Sequence, residues 1–181
     1  GKVDYEKVRI EKSEKGDLVS IGNNQKITLG GIAKGYAVDK AIEVLKEKGI
    51  ENALVNAGGD MRTIGKKYNN LDWSIALANP RDKNDYITLI KLSDKAIVTS
   101  GDYERYFNEN KSFHHIVDPR TGYSATELMS VTILAENAFD ADAVSTSVFV
   151  LGKEKGLELI EGLENFEVLM ITKDKEERKR S

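Results

Sequence analysis

The sequence predicts an α+β protein in which antiparallel sheets pack against helices, and three observations predict it. Short alternating segments stand in blocks before and after the helical patterns rather than singly between them, which disfavours a doubly wound parallel sheet. Two such segments, Trp73 to Ala78 and Tyr86 to Leu92, flank a polar turn and read as an antiparallel hairpin with a longer loop. The clearest helical pattern, Thr28 to Gly49, is entered through Gly30-Gly31 and stopped by Gly49, so it is bounded at both ends.

Composition bounds the rest. With 181 residues, 40% of them hydrophobic and 31% charged, the chain has the make-up of one ordinary globular domain over 1–181, large enough to bury a core. A formal charge of −3 provides no basic stripe for nucleic acid, so no nucleic-acid partner is expected. The absence of cysteine excludes disulfides and thiolate metal ligation in this chain. No apolar run reaches the length of a transmembrane span, and no signal peptide is read at the start.

Taken in order, Val3 to Ile10 reads as an edge strand and Glu14 to Asp17 as a polar turn. Leu18 to Ile21 and Gln25 to Leu29 read as short strands around Gly22-Asn23-Asn24. In the first helix Ile32, Tyr36, Ala37, Ala41, Val44 and Leu45 recur at helical spacing and are expected to face the core. Lys40, Glu43, Lys46 and Glu47 are expected to face solvent. Ala53 to Asn56 is a short buried strand running into a second glycine turn, Ala57 to Asp60. Ala96 to Thr99 is another strand, and Asp102 to Phe107 fits either a helical turn or a continuing strand. His114 to Val117 is extended, and Asp118 to Gly122 is a turn by composition. Met129 to Leu134 reads as a strand, Asp140 to Leu151 and Lys155 to Leu163 as helices, and Phe166 to Ile171 as a closing strand. The charged tail over 172–181 has nothing apolar to anchor it and is expected to fray.

Three places can carry chemistry. The start of the first helix presents unpaired N–H groups and a positive dipole end that favour an anion. Lys34 opposes that dipole, which suggests a ligand; the alternative is a buried helix entered through a tight turn. At the second helix Asp142 and Thr146 lie one turn apart on the same face of an apolar segment, a pairing that suits a hard cation such as Mg²⁺. The alternative makes Asp140 the N-cap, Asp142 a dipole-compensating acid and Thr146 a hydroxyl bonded back to its own helix. Of the adjacent His114 and His115, at most one can face a site from an extended segment, as a general acid or base or as a hydrogen-bonded core residue. Trp73 reads as core. Neither a G-x-S-x-G elbow nor a Walker A loop is present.

Five motifs occur together and in order: LGGIAKGYAVDKA, NAGGD (Asn56 to Asp60), TSGDYERYF (Thr99 to Phe107), HIVDPRTG (His115 to Gly122) and DADAVSTS (Asp140 to Ser147). Over Val3 to Ile171 the chain resembles the ApbE family, the FAD:protein FMN transferases long described as thiamine-biosynthesis lipoproteins. The resemblance implies an ApbE-like (T-fold-like) architecture. It also implies an Mg²⁺-dependent enzyme that takes FAD as substrate, breaks its pyrophosphate and attaches FMN through a phosphoester to Thr or Ser of a flavin-acceptor protein, such as a redox-complex subunit. Some members instead hydrolyse FAD to FMN and AMP. Carried over by position, the metal falls to the backbone carbonyl of Gly31 with Asp142 and Thr146. FAD contacts fall to Thr28, Lys34, the backbone near Val117 with Asp118, and a wall from Gly58, Gly59 and Asp60. Catalysis falls to His115 and Asp142.

Two departures accompany the resemblance. Thr28 stands where the family commonly has aspartate. The family's N-terminal part, with further flavin contacts and a membrane-anchoring lipoprotein cysteine, has no counterpart here. The implied setting is therefore extracytoplasmic and membrane-anchored, with the anchor outside this stretch, and an oligomer is compatible with it. A flavin-binding fragment without turnover is the remaining alternative.

Overall fold

A computed structural model describes residues 3–82, 84–109 and 111–173, with the backbone of 178–180. In chain order the elements are β1 (Arg9–Glu11), β2 (Leu18–Ser20), α1 (Ala33–Glu47), β3 (Ala53–Ala57), β4 (Asp60–Ile64), β5 (Trp73–Ala78), β6 (Tyr86–Leu92), β7 (Ala96–Gly101), β8 (Leu128–Ala135), α2 (Ala138–Leu151), α3 (Lys153–Glu161), β9 (Glu167–Thr172) and β10 (Arg178–Arg180). Six strands form one sheet in the order β10-β9-β8-β7-β4-β3, and every neighbouring pair is antiparallel. This is the α+β arrangement expected from the sequence.

The sheet is covered on both faces, and β7 shows how. Its first three residues, Ala96, Ile97 and Val98, are all buried. Strand residues alternate between faces, so Ala96 and Val98 join the core beneath α1 and α2, while Ile97 joins Ile75 and Leu92 beneath the β5–β6 hairpin. An unbroken apolar run is what a strand buried on both faces requires. The helix α2 is apolar for the same reason: it lies between the sheet, α1 and α3, with Val148 and Phe149 fully enclosed.

Where α1 crosses α2 there is no room for a side chain. A β-carbon at Gly35 would overlap the carbonyl of Ala138 and stand 2.9 Å from Cβ of Asp142. The buried face of α1 is accordingly Gly35, Val38, Asp39 and Ile42. This corrects the expected apolar face: Tyr36 and Val44 are about half exposed (54% and 52%). Apolar periodicity misses a face built on a glycine and a buried carboxylate.

Other boundaries also differ. Val3 to Ile10 contains a single 3₁₀ turn, Tyr5–Lys7, before β1, and residues 25–29 form no strand. Hairpin β1–β2 exposes every residue, so nothing packs it into a longer sheet. The turn at Gly58-Gly59 is the tip of the β3–β4 hairpin, both glycines having positive φ (62° and 100°). The N-cap of α2 is Asn137, whose side chain accepts from Asp140 N at 2.8 Å; Asp140 instead sits in the first turn, where its charge complements the dipole. Of the tail expected to fray, Arg178–Arg180 pairs with β9, because backbone groups of an edge strand need no apolar anchor. Residues 174–177 and 181 lie outside the described residues.

The crossing yields a prediction. Gly35→Ala should lose about 3 kcal/mol of unfolding free energy in urea, as overpacking against rigid backbone does. A loss under about 1 kcal/mol would show that the helices can separate at that point.

Candidate functional site

Two reciprocal contacts fix the starts of α1 and α2. Asp39 of α1 accepts the first two amides of α2, Ala138 N at 2.9 Å and Phe139 N at 2.8 Å. Asp142 of α2 accepts the amide of Gly35, three residues into α1, at 3.0 Å. Each helix therefore places a carboxylate at the positive end of the other, where orphan N–H groups and the dipole stabilise it. Asp142 thus occupies part of the anion-favouring helix start and does not compensate its own helix. Asp39 is further neutralised by Arg62, Nη1 to Oδ1 at 2.7 Å. Among the described residues no cation pairs with Asp142 in this way; what faces it is a second carboxylate, Asp60.

Asp60 follows the glycine tip of the β3–β4 hairpin and is fully buried. Its Oδ1 receives Lys34 Nζ at 2.6 Å, while its Oδ2 has no hydrogen-bond partner among the described residues. Burial pushes the Asp60 carboxyl up to about 6; the Lys34 ammonium opposes that rise and the charge of Asp142 adds to it. The unfavourable place of Lys34 at the start of α1 is thereby explained, since the buried Asp60 carboxylate faces it. The sequence reading makes this hairpin, at Gly58, Gly59 and Asp60, a wall of the pocket. In the structure the Gly59 amide is taken by Asn56 Oδ1 at 2.9 Å, and the side chain of Asp60 is what enters the cluster.

Hydroxyls complete the cluster. A β-carbon on Gly31 would stand 3.6 Å from Thr146 Oγ1, so the turn before α1 lies directly against α2. Proton counting orients the hydroxyls. Ser145 Oγ donates to the Asp142 carbonyl at 3.0 Å, so in its 2.8 Å contact with Ser100 it accepts. Ser100 has then spent its proton, and in the 3.3 Å contact with Thr146 the threonine donates. The lone pairs of Thr146 Oγ1 are left for a ligand. Bonding back to the helix belongs instead to Ser145 and to Ser147, the latter donating to Ala143 O at 2.8 Å. Gly31, Lys34, Asp60, Asp142 and Thr146 are thus drawn into one neighbourhood, together with Ser100 and Ser145, which the sequence reading did not connect. Thr28 lies on the exposed turn before Gly31, accepting from Gly30 N at 3.3 Å.

The HIVDPRTG segment lies farther along α2. His114 is the inward histidine, packed edge-on to Phe149 with ring centroids 5.6 Å apart. Its Nε2 faces Ala125 O at 2.8 Å and its Nδ1 accepts from Ile116 N, which assigns the neutral Nε2–H tautomer. His115 points outward, its Nδ1 3.1 Å from Arg105 O. That assigns the proton to Nδ1 and leaves Nε2 as a bare acceptor. Val117 is 46% exposed. Asp118 builds its own turn: it accepts from the Arg120 amide and pairs bidentately with the Arg120 side chain, which holds its carboxyl below the usual range. Arg120 also reaches Val150 O at 3.3 Å, about one helical turn beyond Thr146. Beside this turn runs a groove of about 400 Å³ lined by Asp118, Arg120, Tyr123, Phe149 and Gly152. Another concavity, of about 530 Å³, lies at the far end of the β3–β4 hairpin around Asn52, Lys66 and Trp73.

Known proteins share this fold. The sequence matches the ApbE family over residues 1–170. It is 38% identical over 153 residues to the FAD:protein FMN transferase of Klebsiella pneumoniae (strain 342), covering 83% of this chain and 46% of that protein. It is 37% identical over 163 residues to the FAD:protein FMN transferase of Treponema pallidum (strain Nichols), covering 84% of this chain and 45% of that one. Its fold superposes on the ApbE protein of Thermotoga maritima with a TM-score of 0.87 at 40% identity, over 98% of this chain and 58% of that one. For the flavin transferase ApbE of Vibrio cholerae the TM-score is 0.78 at 30% identity, over 98% of this chain and 56% of that one. The chain thus spans about half the length of the curated relatives it matches.

A pH dependence follows from the buried histidine. Burial pulls His114 below its ordinary value of 6.5, so as pH falls through that value the unfolded chain gains a proton the folded chain refuses. The stability contributed by the neutral ring is full above that value and drains below it. The stability gap between the parent and His114→Gln should narrow from about pH 7 to about pH 5 in urea titrations. A gap constant across that range would contradict the assignment.

Proposed function

The chain belongs to the ApbE family, and on that premise we propose that it acts as an Mg²⁺-dependent FAD:protein FMN transferase. One observation carries the reading: the helix crossing brings the Gly31 turn, Lys34, Asp142 and Thr146 to one point. The donor set there would consist of oxygens only, the Asp142 carboxylate, the Thr146 hydroxyl with its free lone pairs and the Gly31 carbonyl, and these fit a hard divalent cation. Asp142, Thr146 and Gly31 would hold it, and when bound it would offset charge on the pyrophosphate oxygens.

The protein's own groups account for the rest. Lys34 places an ammonium beside the phosphates, and the remaining amides at the start of α1 orient them. The oxygen of the acceptor's Thr or Ser attacks phosphorus on the FMN side. The pyrophosphate P–O bond breaks, and AMP departs with the bonding electrons. The hydroxyl proton passes to Nε2 of His115, the nitrogen left bare by the Nδ1 contact with Arg105 O. Asp118 shapes the turn that carries Val117 toward the nucleotide, and its pairing with Arg120 makes its part a structural one. The extracytoplasmic, membrane-anchored setting belongs to this proposal on the family resemblance; among the described residues no helix is long and apolar enough to cross a membrane.

Incubation with FAD, Mg²⁺ and a flavin-acceptor domain should give a fluorescent covalent flavin band. Asp142→Asn, which keeps an acceptor for Gly35 N, should lower its rate at least about 100-fold with an unchanged circular dichroism spectrum. AMP released without any acceptor would instead favour the pyrophosphatase. FAD binding with neither product would favour the binding module.

A further inference from the structure

We propose that Asp60 supplies a second carboxylate ligand, through Oδ2, to the divalent cation assigned above to Asp142, Thr146 and Gly31; this rests on the reading given under Proposed function. The first support is the oxygen itself. Asp60 is fully buried, its Oδ1 is satisfied by Lys34 at 2.6 Å, and Oδ2 has no donor among the described residues. Buried carboxylate oxygens find donors or metals, because leaving one bare in the interior is costly. The second support is its neighbour. Asp142 lies within interaction range and is also buried, with one oxygen turned to the Gly35 amide.

Charge arithmetic points the same way. Two carboxylates face one ammonium and one helix start, which leaves the cluster on the negative side of neutral. A cation between them would meet oxygen donors alone and turn like-charge repulsion into shared attraction. The Asp39 corner is the internal contrast. There the equivalent carboxylate has Arg62 as its fixed partner, at 2.7 Å, and both of its oxygens accept backbone amides. One cap is closed by a protein cation, while the other confronts a second acid that has an unused oxygen. Lys34, whose side chain is 47% exposed, balances one of the two charges and can still reach a substrate phosphate.

The test is Mn²⁺ binding followed by electron paramagnetic resonance, with and without FAD, on the parent and on Asp60→Asn, Lys34→Met and Asp142→Asn. Asparagine at 60 keeps an acceptor for Lys34 and offers Asp142 an N–H, so the fold should persist, as checked by urea unfolding. The proposal expects Asp60→Asn to weaken Mn²⁺ at least about tenfold, and Lys34→Met to leave Mn²⁺ affinity equal or tighter while weakening FAD. If Asp60→Asn binds Mn²⁺ like the parent while Asp142→Asn does not, Asp60 acts only through Lys34 or a shared proton. That result overturns this inference and leaves the transferase reading standing. A parent that binds no Mn²⁺ under either condition overturns both.

Discussion

The close crossing of α1 over α2 at Gly35 is the constraint on which the rest of the structure depends. With no β-carbon in the way, the backbone of Ala138 reaches α1 directly. Only at that separation can each helix start be served by a carboxylate from the other, Asp39 for α2 and Asp142 for α1. The sheet supplies the floor: β7 brings Ser100 against Ser145 and Thr146, and β4 brings Arg62 and Asp60 to the two ends of the crossing. Four of the buried polar residues, Asp39, Asp60, Asp142 and Ser145, therefore gather where two helix dipoles converge.

The two caps look alike and do different work. Asp39 is enclosed by amides and an arginine, which makes it a clamp. Asp142 has one amide and a neighbouring acid, an arrangement less favourable in a folded chain than an arginine would provide. Keeping two acids beside each other, with a lysine placed against the helix dipole, is the kind of local conflict that a site for phosphates and a divalent cation resolves.

Much of the fold was legible because it rests on repeating physical patterns. The β5–β6 hairpin, β7, β8 and the closing strand all announce themselves by alternation or by short apolar runs. Strand β4 was not legible: DMRTI has no clean alternation, and its burial comes from neighbours that only the folded chain supplies. The face of α1 was misjudged because apolar counting gives no weight to Gly35 or Asp39. In the candidate site, Lys34 stood out as a charge in the wrong place and Asp142 with Thr146 as polar groups on an apolar helix. What could not be read was the partner of each. The bond from Lys34 to Asp60 spans two elements, and the choice between His114 and His115 depends on which side of the segment meets Phe149.

The central claim is that the turn before α1 and the body of α2 share one divalent cation. Anomalous diffraction from crystals grown with Mn²⁺ and FAD tests it most directly. The account predicts a single strong peak within coordination distance of the Gly31 carbonyl, an Asp142 oxygen and Thr146 Oγ1. A peak elsewhere, with Asp142 still engaged only by the Gly35 amide, would contradict it.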